Sequence, residues 1–121
     1  MGKMNLGGSK WEQLAESFLH GRGLKTVQRN FHCRMGEIDL IMLDGHTLVF
    51  TEVRYRANDA HGSGAESVTY SKQRRIIIAA QNFLRIRQHH ASLVCRFDVV
   101  SIGNEEGRTL INWIQNAFDA S

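Results

Sequence analysis

Gly36-Glu37-Ile38-Asp39-Leu40-Ile41 and Phe50-Thr51-Glu52-Val53-Arg54 set carboxylates and a cation into two runs that otherwise read as buried β-strand. The runs belong to Glu37–Leu43 and Thr47–Arg56, joined at Asp44-Gly45, a strong short-range hairpin signal. Charge in such a place is costly unless it is paired or holds a metal. With Asp44-Gly45 as a two-residue loop, Ile41 falls opposite Leu48, Asp39 opposite Phe50 and Glu37 opposite Glu52. Alternation then sends Glu37, Asp39, Glu52 and Arg54 to one face. Glu37 against Glu52 is a directly opposed like-charge pair, which destabilises a bare sheet. Asp39 becomes the diagonal neighbour of Glu52, about 7 Å away between backbones and near enough to share an ion.

Hard cations such as Mg²⁺ or Mn²⁺ take oxygen ligands, and Mg²⁺ often needs only two carboxylates besides water. Such an ion activates water and neutralises a phosphate under attack, and a fixed cation helps with the same charge. These residues are parts enough for phosphodiester hydrolysis. They also support a plainer reading, in which Asp39 or Glu37 pairs with Arg34, Arg54 or Arg56 at a strand end.

Around the hairpin the chain reads as one α/β domain. At 121 residues, with 42% hydrophobic and 22% charged residues, it has the composition of an ordinary globular protein. Residues 1–8 are a loose, glycine-containing lead-in. Ser9-Lys10-Trp11-Glu12 is a capping box, which by itself accounts for Glu12. Trp11, Leu14, Ala15 and Phe18 continue at helical spacing to Gly21 and Gly23. Lys25 to Cys33 is a first strand of poor alternation, and Ala57 to Gly64 is a loop.

Thr69 or Ser71 caps a long helix to about His89, with a stripe of Ile76, Ile77, Ala80, Phe83 and Leu84. Leu93 to Ile102 is a strand, Gly103 to Gly107 a turn, and Thr109 to Ile111 a short strand. Trp113, Ile114, Ala117 and Phe118 suggest a closing helical turn. The order αβββαβ implies a sheet covered by helices.

No apolar run is long enough to span a membrane, and the first residues have no apolar signal core. The expected location is cytoplasmic, with Cys33 and Cys95 as reduced thiols. The net charge of +3 is mild, but its distribution is not. No acid lies between Glu66 and Asp98, whereas Lys72, Arg74, Arg75, Arg85, Arg87 and Arg96 do. A basic face of this kind suits nucleic acid or is simply solvated. Lys72, Arg74 and Arg75, in the first turns of the long helix, are the residues expected to contact a DNA backbone. With few exposed aromatics, such a surface positions the backbone more than it reads bases. Gln73 ends the apolar stripe or approaches the site. His61, in the loop after Arg54, could touch a substrate.

Gly36-Glu37-Ile38-Asp39-Leu40-Ile41, Phe50-Thr51-Glu52-Val53-Arg54, Arg96-Phe97-Asp98-Val99-Val100 and Asn116-Ala117-Phe118 resemble the signatures of the bacterial YraN family. The resemblance runs in order from about Trp11 to Phe118. That family has no settled function, and its sequences are similar to archaeal Holliday junction resolvases of the restriction-endonuclease-like superfamily. The resemblance implies a restriction-endonuclease-like core of mixed β-sheet flanked by helices. It also implies a Mg²⁺- or Mn²⁺-dependent endonuclease-like activity on structured or branched DNA.

Carried over, Asp39 matches the first acid of that superfamily and Glu52 the second. Glu12 matches the acid on the first helix, and Val53 would offer its backbone carbonyl to the metal. Glu37 belongs to the Gly-Glu-Ile-Asp motif. Symmetric resolvases act as dimers, so by analogy the resemblance extends to a homodimer. The departure is Arg54, where the pattern has lysine. Arginine stabilises phosphate charge but is a poor base, which leaves open a module that binds nucleic acid without cutting it. Trp11 precedes Glu12 where relatives usually have glycine.

Overall fold

The computed structural model describes residues 9–56 and 68–120. The lead-in at residues 1–8 and His61 lie outside these. Helix α1 spans Lys10–His20, strands β1, β2 and β3 span Lys25–Cys33, Gly36–Asp44 and Thr47–Arg56, helix α2 spans Tyr70–Ile86, and strands β4 and β5 span Val94–Glu105 and Arg108–Phe118. The strands form one five-stranded sheet in the order β1-β2-β3-β4-β5. Neighbours are antiparallel except β3 and β4, which are parallel and joined through α2. A parallel pair needs such a crossover. This is the mixed α/β architecture expected of a nuclease-like core.

The two helices cover opposite faces. Trp11, Leu14, Ala15, Phe18 and Leu19 of α1 pack against Leu40, Met42, Val49, Val53, Val100 and Ile102. Ile76, Ile77, Ala80 and Phe83 of α2 pack against Ile38, Ile41, Leu48, Phe50 and Phe97. Both apolar stripes are therefore those expected from helical spacing. Each helix is capped as read: Ser9 Oγ accepts from Glu12 N at 3.1 Å, and Thr69 Oγ1 accepts from Lys72 N at 3.1 Å. Among the described residues, no helix is long and apolar enough to cross a membrane.

The hairpin register differs from the expected one. Its turn is Gly45-His46, so Asp44 pairs with Thr47, Leu43 with Leu48, Ile41 with Phe50 and Leu40 with Thr51. Gly45, at φ +62°, takes the left-handed conformation that the first turn position requires. Against the expected pairing, β3 has moved by two residues. A shift of two preserves which side chains share a face, where a shift of one would have inverted them. It also carries Glu52 to the step just past the last pair, beside Asp39 rather than opposite Glu37.

The end of the chain is the larger correction. Trp113 to Phe118 is strand, not helix. Val99 pairs with Ile114 and Phe97 with Phe118, so Gln115, Asn116 and Ala117 stand opposite the single residue Asp98. Asn116 sits at φ +54° in this bulge. The extra residues break period-two alternation and leave apolar side chains at a spacing that imitates a helix.

Candidate functional site

Past Leu40 and Thr51 the β2–β3 ladder stops, and the site lies in the gap that opens there. Alternation along β2 also fails at this point. Ile38 packs on the α2 side and Leu40 on the α1 side, with Asp39 between them. Across on β1, Asn30 lies between Arg29, paired to Leu40, and Phe31, paired to Ile38. Its φ is +50°, a conformation that asparagine tolerates better than most residues. The regular pleat is therefore interrupted at Asn30 and Asp39, where the Asp39 carboxylate feels Glu12 of α1 and Lys72 of α2.

Asp39 is 8% exposed and Glu52 is 3% exposed. Val53 N donates to Asp39 Oδ2 at 2.8 Å, a backbone hydrogen bond released by the open ladder. Glu12 approaches from the first turn of α1 and interacts with Asp39. Lys72 approaches from the first turn of α2, its Nζ 3.7 Å from Glu52 Oε2. Arg54 Nη1 lies 3.6 Å from the same oxygen. Two helix N-termini thus meet two strands, one from each side of the sheet. Their unsatisfied N–H groups add positive potential at this end.

The carboxyls hold their protons strongly. Burial and the neighbouring Asp39 push Glu52 up to about 8, against the pull of Lys72 and Arg54. Burial and Asp39 push Glu12 up to about 7, although Asn30 and the Ser9 backbone favour its charge. Asp39 is raised mainly by burial, opposed by the Val53 N–H. Glu12 Oε1 and Glu52 Oε1 are both buried without a hydrogen-bond partner. A buried carboxylate oxygen left unsatisfied is costly, so these are places where a cation would be welcome.

Asp39 and Glu52 offer oxygen donors of the kind a hard divalent ion takes. Among the described residues, no three histidine, cysteine, aspartate or glutamate side chains are arranged to hold a metal by themselves. Val53 takes part through its N–H, which fixes Asp39.

The other expected site residues separate. Glu37 is half exposed, 3.6 Å from His32 Nδ1, and lines a cavity of about 130 Å³ with Gly36, Lys72 and Arg75. Among the described residues Glu37 faces His32 and pairs with none of the arginines that the plainer reading offered. Gln73 Nε2 donates to Val68 O at 3.0 Å, so it fastens the entry to α2 and does not enter the site. Arg74 and Arg75 are exposed on α2.

Arg96 leaves the basic face altogether. It reaches Asp98 Oδ1 at 3.0 Å through Nε and Asp44 Oδ2 at 3.0 Å through Nη2. Two roles were not legible beforehand: Lys72 as a neighbour of Glu52, and Asn30 as the residue where the pleat is interrupted. The poor alternation of Lys25 to Cys33 was the only signal of the second.

The profile of the uncharacterised protein family UPF0102 matches residues 11–102. The chain belongs to this family. It is the family of the YraN signatures quoted above. A UPF0102 protein of Aeromonas hydrophila is 51% identical over 114 residues, covering 92% of this chain and 83% of its own. One of Nitrosococcus oceani is 50% identical over 111 residues, covering 92% and 90%. One of Nitrosospira multiformis is 49% identical over 118 residues, covering 98% and 97%. Glu12, Asp39, Glu52, Arg54 and Lys72 all fall within the span matched by the UPF0102 profile, whereas β5 lies beyond it.

Proposed function

We propose that the chain is a divalent-cation-dependent endonuclease acting on structured or branched DNA. The observation that carries this reading is the meeting of Glu12, Asp39 and Glu52 with Lys72 and Arg54 where β2 and β3 part. Asp39 and Glu52 would hold Mg²⁺ or Mn²⁺. An ion bound there lowers the pKa of water and offsets charge on a phosphoryl group.

The chain's own residues supply the rest. Val53 N holds one Asp39 oxygen and so orients the carboxylate. Lys72 and Arg54 offer N–H donors toward the non-bridging phosphate oxygens, where negative charge grows during attack. Glu12, pushed to about 7, exchanges a proton readily at neutral pH and serves as the base for the attacking water. Arg54 is a poor base, but Lys72 returns to the site the compact ammonium missing from the strand.

The test is cleavage of end-labelled four-way-junction, flap and single-stranded DNA in Mn²⁺ by wild type, Asp39→Ala, Lys72→Ala and Arg54→Lys. Wild-type products that vanish in Asp39→Ala and Lys72→Ala are expected. Arg54 in place of lysine favours one alternative, a binding module with a silenced site. Cutting by Arg54→Lys alone would establish that alternative. No cutting by any variant on any substrate would overturn the nuclease reading.

A further inference from the structure

Trp11 and Tyr55 stack with ring centroids 3.9 Å apart and planes 5° from parallel. Trp11 immediately precedes Glu12 on α1, and Tyr55 immediately follows Arg54 on β3. The pair therefore bridges the two elements that carry one acid and one cation of the candidate site. Tyr55 stands three residues past Glu52, about 10 Å along the strand. The residue is 37% exposed. The Lys10 ammonium lies 4.8 Å from the Trp11 ring centroid. Six of the ten aromatic residues are phenylalanines, and none of the six is exposed. Among the described residues, Tyr55 and Tyr70 are the exposed ones of the phenylalanines, tyrosines and tryptophans.

A staple between helix and sheet needs apolar contact, which Leu14, Phe18 and Val53 already supply nearby. It does not need a parallel π-stack at the protein surface with a cation against it. Stacked rings beside cations match the way proteins hold single-stranded bases, whose π-faces accept any aromatic platform. A base drawn out of a duplex needs such a surface, because unstacking it is costly. We propose that Trp11 and Tyr55 form a stacking platform for an unpaired nucleobase on the α1 side of the candidate site, the side from which Glu12 enters, while Glu52, Arg54 and Lys72 lie toward the other face. This rests on the nuclease reading and narrows it to DNA with an unpaired base at the cut.

The experiment measures binding in EDTA, where no chemistry occurs, to a duplex and to the same duplex with one bulged 2-aminopurine. Wild type should bind the bulged DNA about tenfold more tightly and quench the 2-aminopurine. Tyr55→Phe should keep both effects. Tyr55→Leu, which retains apolar contact with Trp11, should lose both while still binding duplex and melting at the wild-type temperature. Equal affinity of wild type for the two DNAs, or a preference and quench that persist in Tyr55→Leu, would overturn the platform. In either case cleavage lost on Asp39→Ala would leave the nuclease reading standing. Absence of binding to both DNAs, with no cleavage in Mn²⁺, would overturn the two readings together.

Discussion

Lys72 Nζ lies 3.7 Å from Glu52 Oε2, which ties the first turn of α2 to the strand that carries the buried acid. Lys72 was expected on a basic face turned toward DNA, yet its charge opposes the raised pKa of both Glu52 and Asp39. Removing it leaves the carboxyls with less compensating charge. Lys72→Met should therefore shift the pH at which Mn²⁺ binding is half complete upward. It should also lower cleavage by about 100-fold, the usual scale for losing one charged donor to a transition state. Arg54→Met should cost less, because Arg54 is the last of the causes that set the pKa of Glu52. Titration of Mn²⁺-dependent melting temperature against pH, beside cleavage rates, checks both statements.

The raised carboxyls fix the sign of the pH dependence. Glu12 and Glu52 move from 4.5 to about 7 and about 8 on folding. Between the unfolded and folded values the folded chain binds more protons, so stability of the metal-free protein falls as pH rises through that window. It should be greatest near pH 5 and lowest above pH 8. A divalent ion needs the ionised carboxylates, so its stabilising effect should grow over the same range. Glu52→Gln should flatten the metal-free profile, melt higher than wild type above pH 8 and lose the response to Mn²⁺. Thermal melts from pH 5 to 9, with and without Mn²⁺, would show a rising metal-free curve if the carboxyls were satisfied ion pairs instead.

Much of this arrangement was legible because it rests on local chemistry. The capping residues Ser9 and Thr69, the apolar stripes of α1 and α2 and the presence of the β2–β3 hairpin, though not its turn residues, follow from short-range rules. The nearness of Asp39 to Glu52 survived a wrong register because the error was an even number of residues. What could not be read was long-range. The interruption of the pleat at Asn30 and Asp39 depends on how β1 meets β2. The strand at Trp113 to Phe118 depends on Asp98, which gathers groups far apart in the chain. Lys72 reaches Glu52 only because the crossover sets α2 against the start of β2, and nothing in the basic run announces that.

Gly36 permits that approach. A Cβ at this position would lie 2.3 Å from the Arg75 carbonyl oxygen, so β2 and α2 meet backbone to backbone there. Neither backbone yields cheaply. Gly36→Ala should therefore push α2 outward at the turn that follows Lys72, lowering stability by about 1–3 kcal/mol. The Lys72–Glu52 contact should weaken with it, so cleavage should fall by more than the lost stability explains. Melting and cleavage compared at a temperature where the variant is fully folded separate the two effects. An unchanged rate in the folded variant would mean that the spacing of α2 does not govern the site.

Asp98 is the contrasting case of a buried acid with every need met. It is fully buried and accepts from Arg96 Nε, from Trp113 Nε1 at 2.9 Å and from Asn116 N at 2.9 Å. These bonds hold the bulge of β5 against β4, and Arg96 passes the charge on to Asp44 at the β2–β3 hairpin. Nothing is left over for a ligand, so the cluster is structural. Asp98→Asn keeps the shape but removes the charge facing Arg96, and breaking a buried pair from one side costs about 3–5 kcal/mol. The variant should melt well below wild type. Its folded fraction should still bind Mn²⁺ with wild-type affinity, since Asp98 touches none of Glu12, Asp39, Glu52 or Lys72. A loss of Mn²⁺ binding in the folded variant would place Asp98 in the functional site after all and would undo the division between the two buried acid clusters.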